Sequence, residues 1–249
     1  MPYQKTFGEL EDKIFWRGDA PSSGLPTHSW QGIAEQRLVS LAHQGPPGEK
    51  IPLLLPLDKD GNKFIYEYVR LEPISAQLQV DAGFSGISST NFRDSEESSA
   101  QNVQFGVFTN LDDPDRERFE KRYLLSMDSN PRGQFVQDMR SNSVAVRAGI
   151  FKEWWEERLT PWLHYIPLDI RWQGLHSTLA YFMGLAGTVK GVEVQMKSGF
   201  EEGQWVAEEG RKRVESVMRE ADAEVYLFRL LLEWGRVVDD RREELGFKL

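Results

Sequence analysis

Residues 139–170 read MRSNSVAVRAGIFKEWWEERLTPWLHYIPLDI, and the alternation inside this stretch decides the fold. VAVRAG (144–149) is a short β-prone run. IFKEWWEERL (150–159) has helical spacing with a charged face, and WLHYIPL (162–168) is a second β-prone run closed by proline. RWQGLHSTLAYFMG (171–184) then has helical spacing again. Strand, helix, strand, helix at short intervals is the signature of βαβ units and a parallel sheet, so the fold class is α/β. Such sheets bind ligands outside the carboxyl ends of their strands. The loop after Val146, residues 147–153, is therefore the first place to look for a ligand. Trp154, Trp155, Trp162 and Tyr165 read as core and interdomain packing.

Working outward, KIFWR (13–17) predicts a buried strand that delivers Arg17 and Gly18 into the small-residue loop GDAPSSG. An arginine fork beside a glycine that permits close backbone approach suits an anion. WQGIAEQRLVSLA (30–42) has helical spacing, broken by GPPGEK. Residues 64–71 predict a strand, with DKDGNK before it as a hairpin or loop insertion. LQVDAGFSGI (78–87) predicts a strand entering a Gly-rich turn, and the Ser/Asn/Glu-rich 88–104 a surface loop. DDPDRERFEKR (112–122) fits a helix start with acidic residues in its first turn. YLLSMD (123–128) predicts the next strand. QFVQDMRSNS (134–143) predicts a helix turning Phe135, Val136 and Met139 to the sheet. Residues 184–200 read as a loop and 201–220 as a charged amphipathic helix. The segment 219–249 predicts a long helix that packs its stripe (Val225, Leu227, Phe228, Leu231, Leu232, Val237, Val238) on the domain and shows DDRREE to solvent.

The 249 residues suffice for a sizeable core and are read as one domain, 1–249. A net charge of −9 argues against a nucleic-acid footprint. The absence of cysteine removes disulfides and thiolate metal ligands. The first residues lack an apolar signal region, and no apolar run is long enough to span a membrane. His28, His43, His164 and His176 show no zinc spacing, and neither a G-x-S-x-G elbow nor a P-loop is present. Glu153 and Glu156 share a helical face without forming a forced catalytic pair. DDPD and VVDD follow no convincing strand end, so no metal is expected. The residues alone reach an α/β domain with a candidate anion and nucleotide pocket.

A sharper expectation comes from resemblance. In order along the chain, KIFWRGDAPSSG, WQGIAEQRLVSLA, DAGFSG, KRYLLSMDSN, FVQDMRSNSVAV, IFKEWWEERLTPWLHYIPLDI and YLFRLLLEWGRVVDDRREELGF resemble the fungal branch of the capsule-associated-protein glycosyltransferases. This is the CAP-ten domain, glycosyltransferase family 90, which also holds the animal protein O-glucosyltransferases. The resemblance skips 44–75 and 88–115, read as variable insertions. It implies a Rossmann-like parallel sheet, the C-terminal donor-binding half of a GT-B enzyme. The implied activity moves glucose or xylose from a UDP-sugar to a hydroxyl on a protein or polysaccharide acceptor, without a metal or other cofactor. The family's amino-terminal half, with its signal anchor and catalytic base, finds no counterpart here, so the catalytic residue stays unassigned. Full-length relatives would act in the secretory pathway, in the Golgi or endoplasmic reticulum. A truncated, non-catalytic remnant serving as a binding or scaffold domain is the alternative.

Carried over residue by residue, the resemblance places Arg17 at the donor diphosphate, with Gly18 and Ser22 or Ser23 shaping the loop. It sets the helix start at 133 against phosphate, where Arg132-Gly133-Gln134-Phe135 carries Gln134 at the family's arginine position and Arg132 two residues earlier. It places Ser141, Asn142 and Ser143 along the pocket. Glu153 would accept hydrogen bonds from ribose hydroxyls.

Overall fold

In a computed structural model, the fold is described for residues 5–20, 32–43, 45, 48–57, 63–87, 114–131, 133–189 and 192–242. Its centre is β5 (Lys121–Met127), on which every residue is buried. A strand covered on both faces reads as a continuous apolar run, as YLLSM does. Its two cationic leading residues are neutralised from β1 (Glu11–Ala20): Lys121 meets Glu11 at 2.8 Å and Arg122 meets Asp12 at 2.7 Å. β4 (Val80–Ile87) pairs in parallel with β1 on one side, while β5, β6 (Val144–Ala148) and β7 (Ile166–Leu168) extend the sheet on the other. The result is a five-stranded parallel sheet in the order β4-β1-β5-β6-β7. This confirms the α/β, Rossmann-like reading of the sequence.

Side chains alternate between two cores. Val144, Val146 and Ala148 of β6 enter the larger one, with Ile14, Trp16, Tyr123 and Leu125. That core also takes Leu38 and Val39 of α1 (Ala34–Ala42), Leu175 and Leu179 of α5 (Leu175–Met183), and the hairpin β2–β3 (Lys50–Pro56, Phe64–Arg70) through Leu53 and Val69. Ala145 faces the smaller core, with Phe135 and Met139 of α4 (Gln134–Met139) and Val214 of α6 (Phe200–Val217). Short helices α2 (Glu72–Ser75) and α3 (Pro114–Arg118) precede β4 and β5.

The structure corrects the sequence reading of several elements. Residues 150–159 form no α-helix, only a 3-10 turn at Glu156–Arg158. The backbone N–H groups of Ile150 and Phe151 donate to Asp128, and Trp155 stacks on Phe135 at 4.8 Å, so tertiary anchors override helical spacing. Residues 184–200 are not a plain loop, because β8 (Leu185–Val189) and β9 (Val192–Met196) pair as an antiparallel hairpin. Gln77 fastens it by bonding both backbone groups of Ala186. Finally, α7 (Glu220–Val238) buries no residue, so its apolar stripe does not pack on the domain as expected. Arg219 and Asp222 cap its start, and Tyr226 lies against Trp154 of the body at 5.8 Å.

Gly210 shows how tightly α6 is seated. A β-carbon there would stand 2.3 Å from the His164 carbonyl oxygen. Alanine would gain up to about 1 kcal/mol of helix propensity. The overlap with fixed backbone outweighs it, so Gly210→Ala is expected to lose about 1–3 kcal/mol, read from urea denaturation. A stabilised variant would show that α6 can shift freely.

Candidate ligand crevice at the switch point

Counting only the parallel sheet, its strands run 2-1-3-4-5 in chain order. The chain leaves β1 for β4 on one side and later leaves β5 for β6 on the other. The connections therefore diverge between β1 and β5, which opens a crevice at their carboxyl ends, the place where doubly wound sheets bind ligands. Two adjoining clefts occupy it. One, of about 450 Å³, is lined by Arg17, Gly18 and Asp19 of β1, by Ser129 and Pro131 after β5, and by Gln134 of α4. The other, of about 500 Å³, lies between Asp128, Pro131, Gly133, Arg147, Phe151 and Glu153. Pro131 borders both.

Asn130 joins the two strand ends. Its Oδ1 accepts from the Trp16 indole N–H (3.0 Å) and from the Met127 backbone N–H (2.7 Å), and its Nδ2 donates to the Arg17 carbonyl (2.8 Å). Gly18 lies above the same indole, where a β-carbon would come within 2.5 Å of Trp16 Cζ2. Hydrogen-bond demand and shape thus both fix how β1 enters the crevice.

The arginines are paired. Arg17 Nη2 lies 2.7 Å from Asp81 and 3.3 Å from Glu117, Nη1 donates to the carbonyls of Trp16 and Asp81, and the guanidinium covers Phe15 at 4.4 Å. Arg147 is bound to Asp128. Arg118 of α3 donates to Asp138 and to the Gln134 carbonyl. Asp138 is fully buried and also accepts from the Ser126 hydroxyl at 2.7 Å. Burial pushes its carboxyl up to about 6, against the opposing pull of Arg118 and Ser126.

The structure brings together Arg17, Gly18 and Gln134 in one cleft and sets Glu153 across the ridge in the other. Gly133 adopts a left-handed conformation (φ 88°) that starts α4, as a glycine allows. α4 has six residues rather than the expected 134–143, and the Gln134 N–H is already given to the Pro131 carbonyl. Ser22, Ser23 and Arg132 lie outside the described residues, as do His28, the 59–62 turn and the 88–104 loop.

Ser141, Asn142 and Ser143 are a correction. They precede β6, so the parallel sheet puts them at its amino end, away from the crevice. Ser141 donates to the Asp138 carbonyl and accepts from Ser143 N–H, and Ser143 donates to the Lys121 carbonyl. Asn142 donates to the Lys5 carbonyl and accepts from Arg211. All three fasten the underside of the sheet.

Sequence reasoning missed Asn130, Asp128, Arg118 and Asp138. Signals existed: D-S-N directly after a buried strand, and a lone carboxylate among the inward positions of α4. Among the described residues no group of three metal-ligating side chains is present, and no helix is long and apolar enough to cross a membrane. In comparison with known proteins, the chain matches no family model and no curated sequence.

Proposed function

We propose that this chain binds the nucleoside diphosphate of a UDP-sugar in the switch-point crevice, as the donor-binding part of a CAP-type glycosyltransferase. The transfer would carry glucose or xylose to a hydroxyl of a protein or glycan acceptor. The observation that carries the reading is the convergence of Arg17, Gly18 and Gln134 at the carboxyl ends of β1 and β5. It is also where the resemblance expects the diphosphate. Arg17 would meet phosphate through the fork that Asp81 now holds in place, a charge-assisted contact. Glu153 is exposed at the rim of the adjoining cleft, a position open to ribose hydroxyls. Gln134 in place of an arginine would weaken the site by about 1.5–3 kcal/mol, the usual worth of a hydrogen bond to a charged group.

Millimolar UDP is expected to raise the thermal unfolding midpoint. A ligand at 100 times its Kd adds about 2.7 kcal/mol of stability, several degrees for a domain of this size. Arg17→Ala should reduce that shift. A wild-type chain unmoved by UDP would sink the donor-site reading.

One observation favours the second reading, a non-catalytic binding or scaffold domain. Arg17, Arg118 and Arg147 are each engaged by a carboxylate, so an incoming diphosphate must share them. Turnover of UDP-glucose or UDP-xylose by the chain would exclude this reading, and UDP binding without turnover would favour it.

A further inference from the structure

Away from the crevice, the β2–β3 hairpin has one protected edge and one open edge. Backbone bonds from the Leu57 N–H to the Lys63 carbonyl and from the Leu71 N–H to the Glu49 carbonyl close the ladder at its two ends. The register between them runs without a shift, so odd-numbered residues exchange the ladder bonds and even-numbered ones turn their backbone groups outward. On β2 that outer edge is blunted. Pro52 and Pro56 have no N–H to offer, and the Leu54 N–H is given to Ser177 of α5 at 2.9 Å. On β3 the N–H and C=O groups of Phe64, Tyr66, Tyr68 and Arg70 have no partner among the described residues. The side chains of these residues share the hairpin's outer face, where Phe64 is 49%, Tyr66 50% and Tyr68 55% exposed. At the end of that face Lys50 stands directly opposite Arg70. Like charges in that position repel, and neither has a carboxylate partner among the described residues.

We propose that β3 is a docking edge for an extended segment of a partner polypeptide, which joins the hairpin as an antiparallel third strand. The segment carries a carboxylate opposite Arg70 and apolar side chains opposite Tyr68, Tyr66 and Phe64. In strand addition the main-chain hydrogen bonds supply affinity and alternate side chains supply specificity. Here the open edge offers the first and the aromatic row the second. Tyr66 and Tyr68 already meet edge to face at 6.1 Å, which holds their rings as a shaped surface. A third strand also suits the hairpin itself, since two strands alone are marginal. Charge complementarity selects the occupant. The facing Lys50 and Arg70 call for an acid at that end of the added strand. The β3 strand of a second copy does not bring one, because its single acid, Glu67, projects from the opposite face.

The test is an NMR titration of the isotope-labelled full chain with a capped heptapeptide that begins with glutamate and then alternates threonine and valine. Saturable shifts and slowed hydrogen exchange are expected at the amides of Phe64, Tyr66, Tyr68 and Arg70. The same peptide N-methylated at its valines, or with lysine in place of glutamate, should bind about tenfold more weakly or worse. Tyr66→Pro removes an outward N–H while sparing the ladder to β2, and should weaken binding by as much. Arg70→Glu, at an exposed position, should reverse the preference between the glutamate and lysine peptides, and it keeps the test decisive if the proline variant fails to fold. The proposal is overturned if the peptide protects none of these amides, if N-methylation leaves binding unchanged, or if Arg70→Glu keeps the original preference. It is also overturned if the chain alone dimerises at rising concentration and protects the same amides, because the occupant is then a second copy. None of these results depends on whether the crevice accepts UDP.

Discussion

An Asp138→Ala variant is expected to lose about 3–5 kcal/mol of stability, the cost of breaking a buried ion pair from one side. The carboxylate is inaccessible to solvent and joins Arg118 of α3 to Ser126 of β5 from within α4. Its removal strands a guanidinium that is only 8% exposed and still tied to the Gln134 carbonyl. Because Arg118 and Gln134 line the cleft beside Arg17, the crevice should loosen with the fold. Asp138→Asn separates charge from shape, since an amide can still accept from Arg118. The folded carboxyl titrates near 6 and its ordinary value is 3.8, so in between the folded state holds more protons than the unfolded one. Stability from this group therefore falls as pH rises from about 4 to 6. Across that window the Asn variant should gain on the wild type by on the order of 3 kcal/mol, at 1.36 kcal/mol per pK unit. Urea denaturation at a series of pH values reads the difference directly, and a flat difference would mean that Asp138 is not buried as described.

Asn130→Ala is expected to cost about 2–4 kcal/mol, from two orphaned donors at about 1–3 kcal/mol each with partial rescue by water. The Trp16 indole is the more severe loss, because its ring is 1% exposed. The Met127 N–H and the Arg17 carbonyl lose their partner in the same change. Asn130→Asp is the informative companion. It keeps both acceptor contacts but sets a carboxylate oxygen against the Arg17 carbonyl, which the amide now reaches at 2.8 Å, so it should recover only part of the stability. If the Asn130→Ala variant proved neutral in chemical denaturation, the junction of β1 and β5 would have to be held by packing alone.

Much of the fold was legible in the residues. The run YLLSMD announced a strand, and KIFWR a buried one; both stand in the structure, although β1 runs on through Gly18 to Ala20, where a turn was expected. The crevice was half legible. Residues on strand ends, such as Arg17 and Gly18, were found because sequence proximity to a strand fixes their place. Apart from the Met127 N–H three residues back, Asn130 and Asp138 act through partners 12 to 114 residues away, which no local pattern reports. Ser141, Asn142 and Ser143 were misplaced for a different reason. They adjoin a strand, but on the side where a parallel strand begins.

The sequence by itself determined that this chain builds a parallel α/β sheet, because the period and length of its apolar runs dictate which segments must be covered on both faces. It also determined where that sheet ends in glycine and arginine. Only the tertiary structure decided that β4 and β5 flank β1 on opposite sides, and so where a crevice opens. Only it decided that 150–159 would stay non-helical, held by Asp128 and Phe135, and that α7 would leave its apolar face uncovered. Strand order, ion pairing and coverage depend on contacts between distant segments, whose free energies local propensity does not contain.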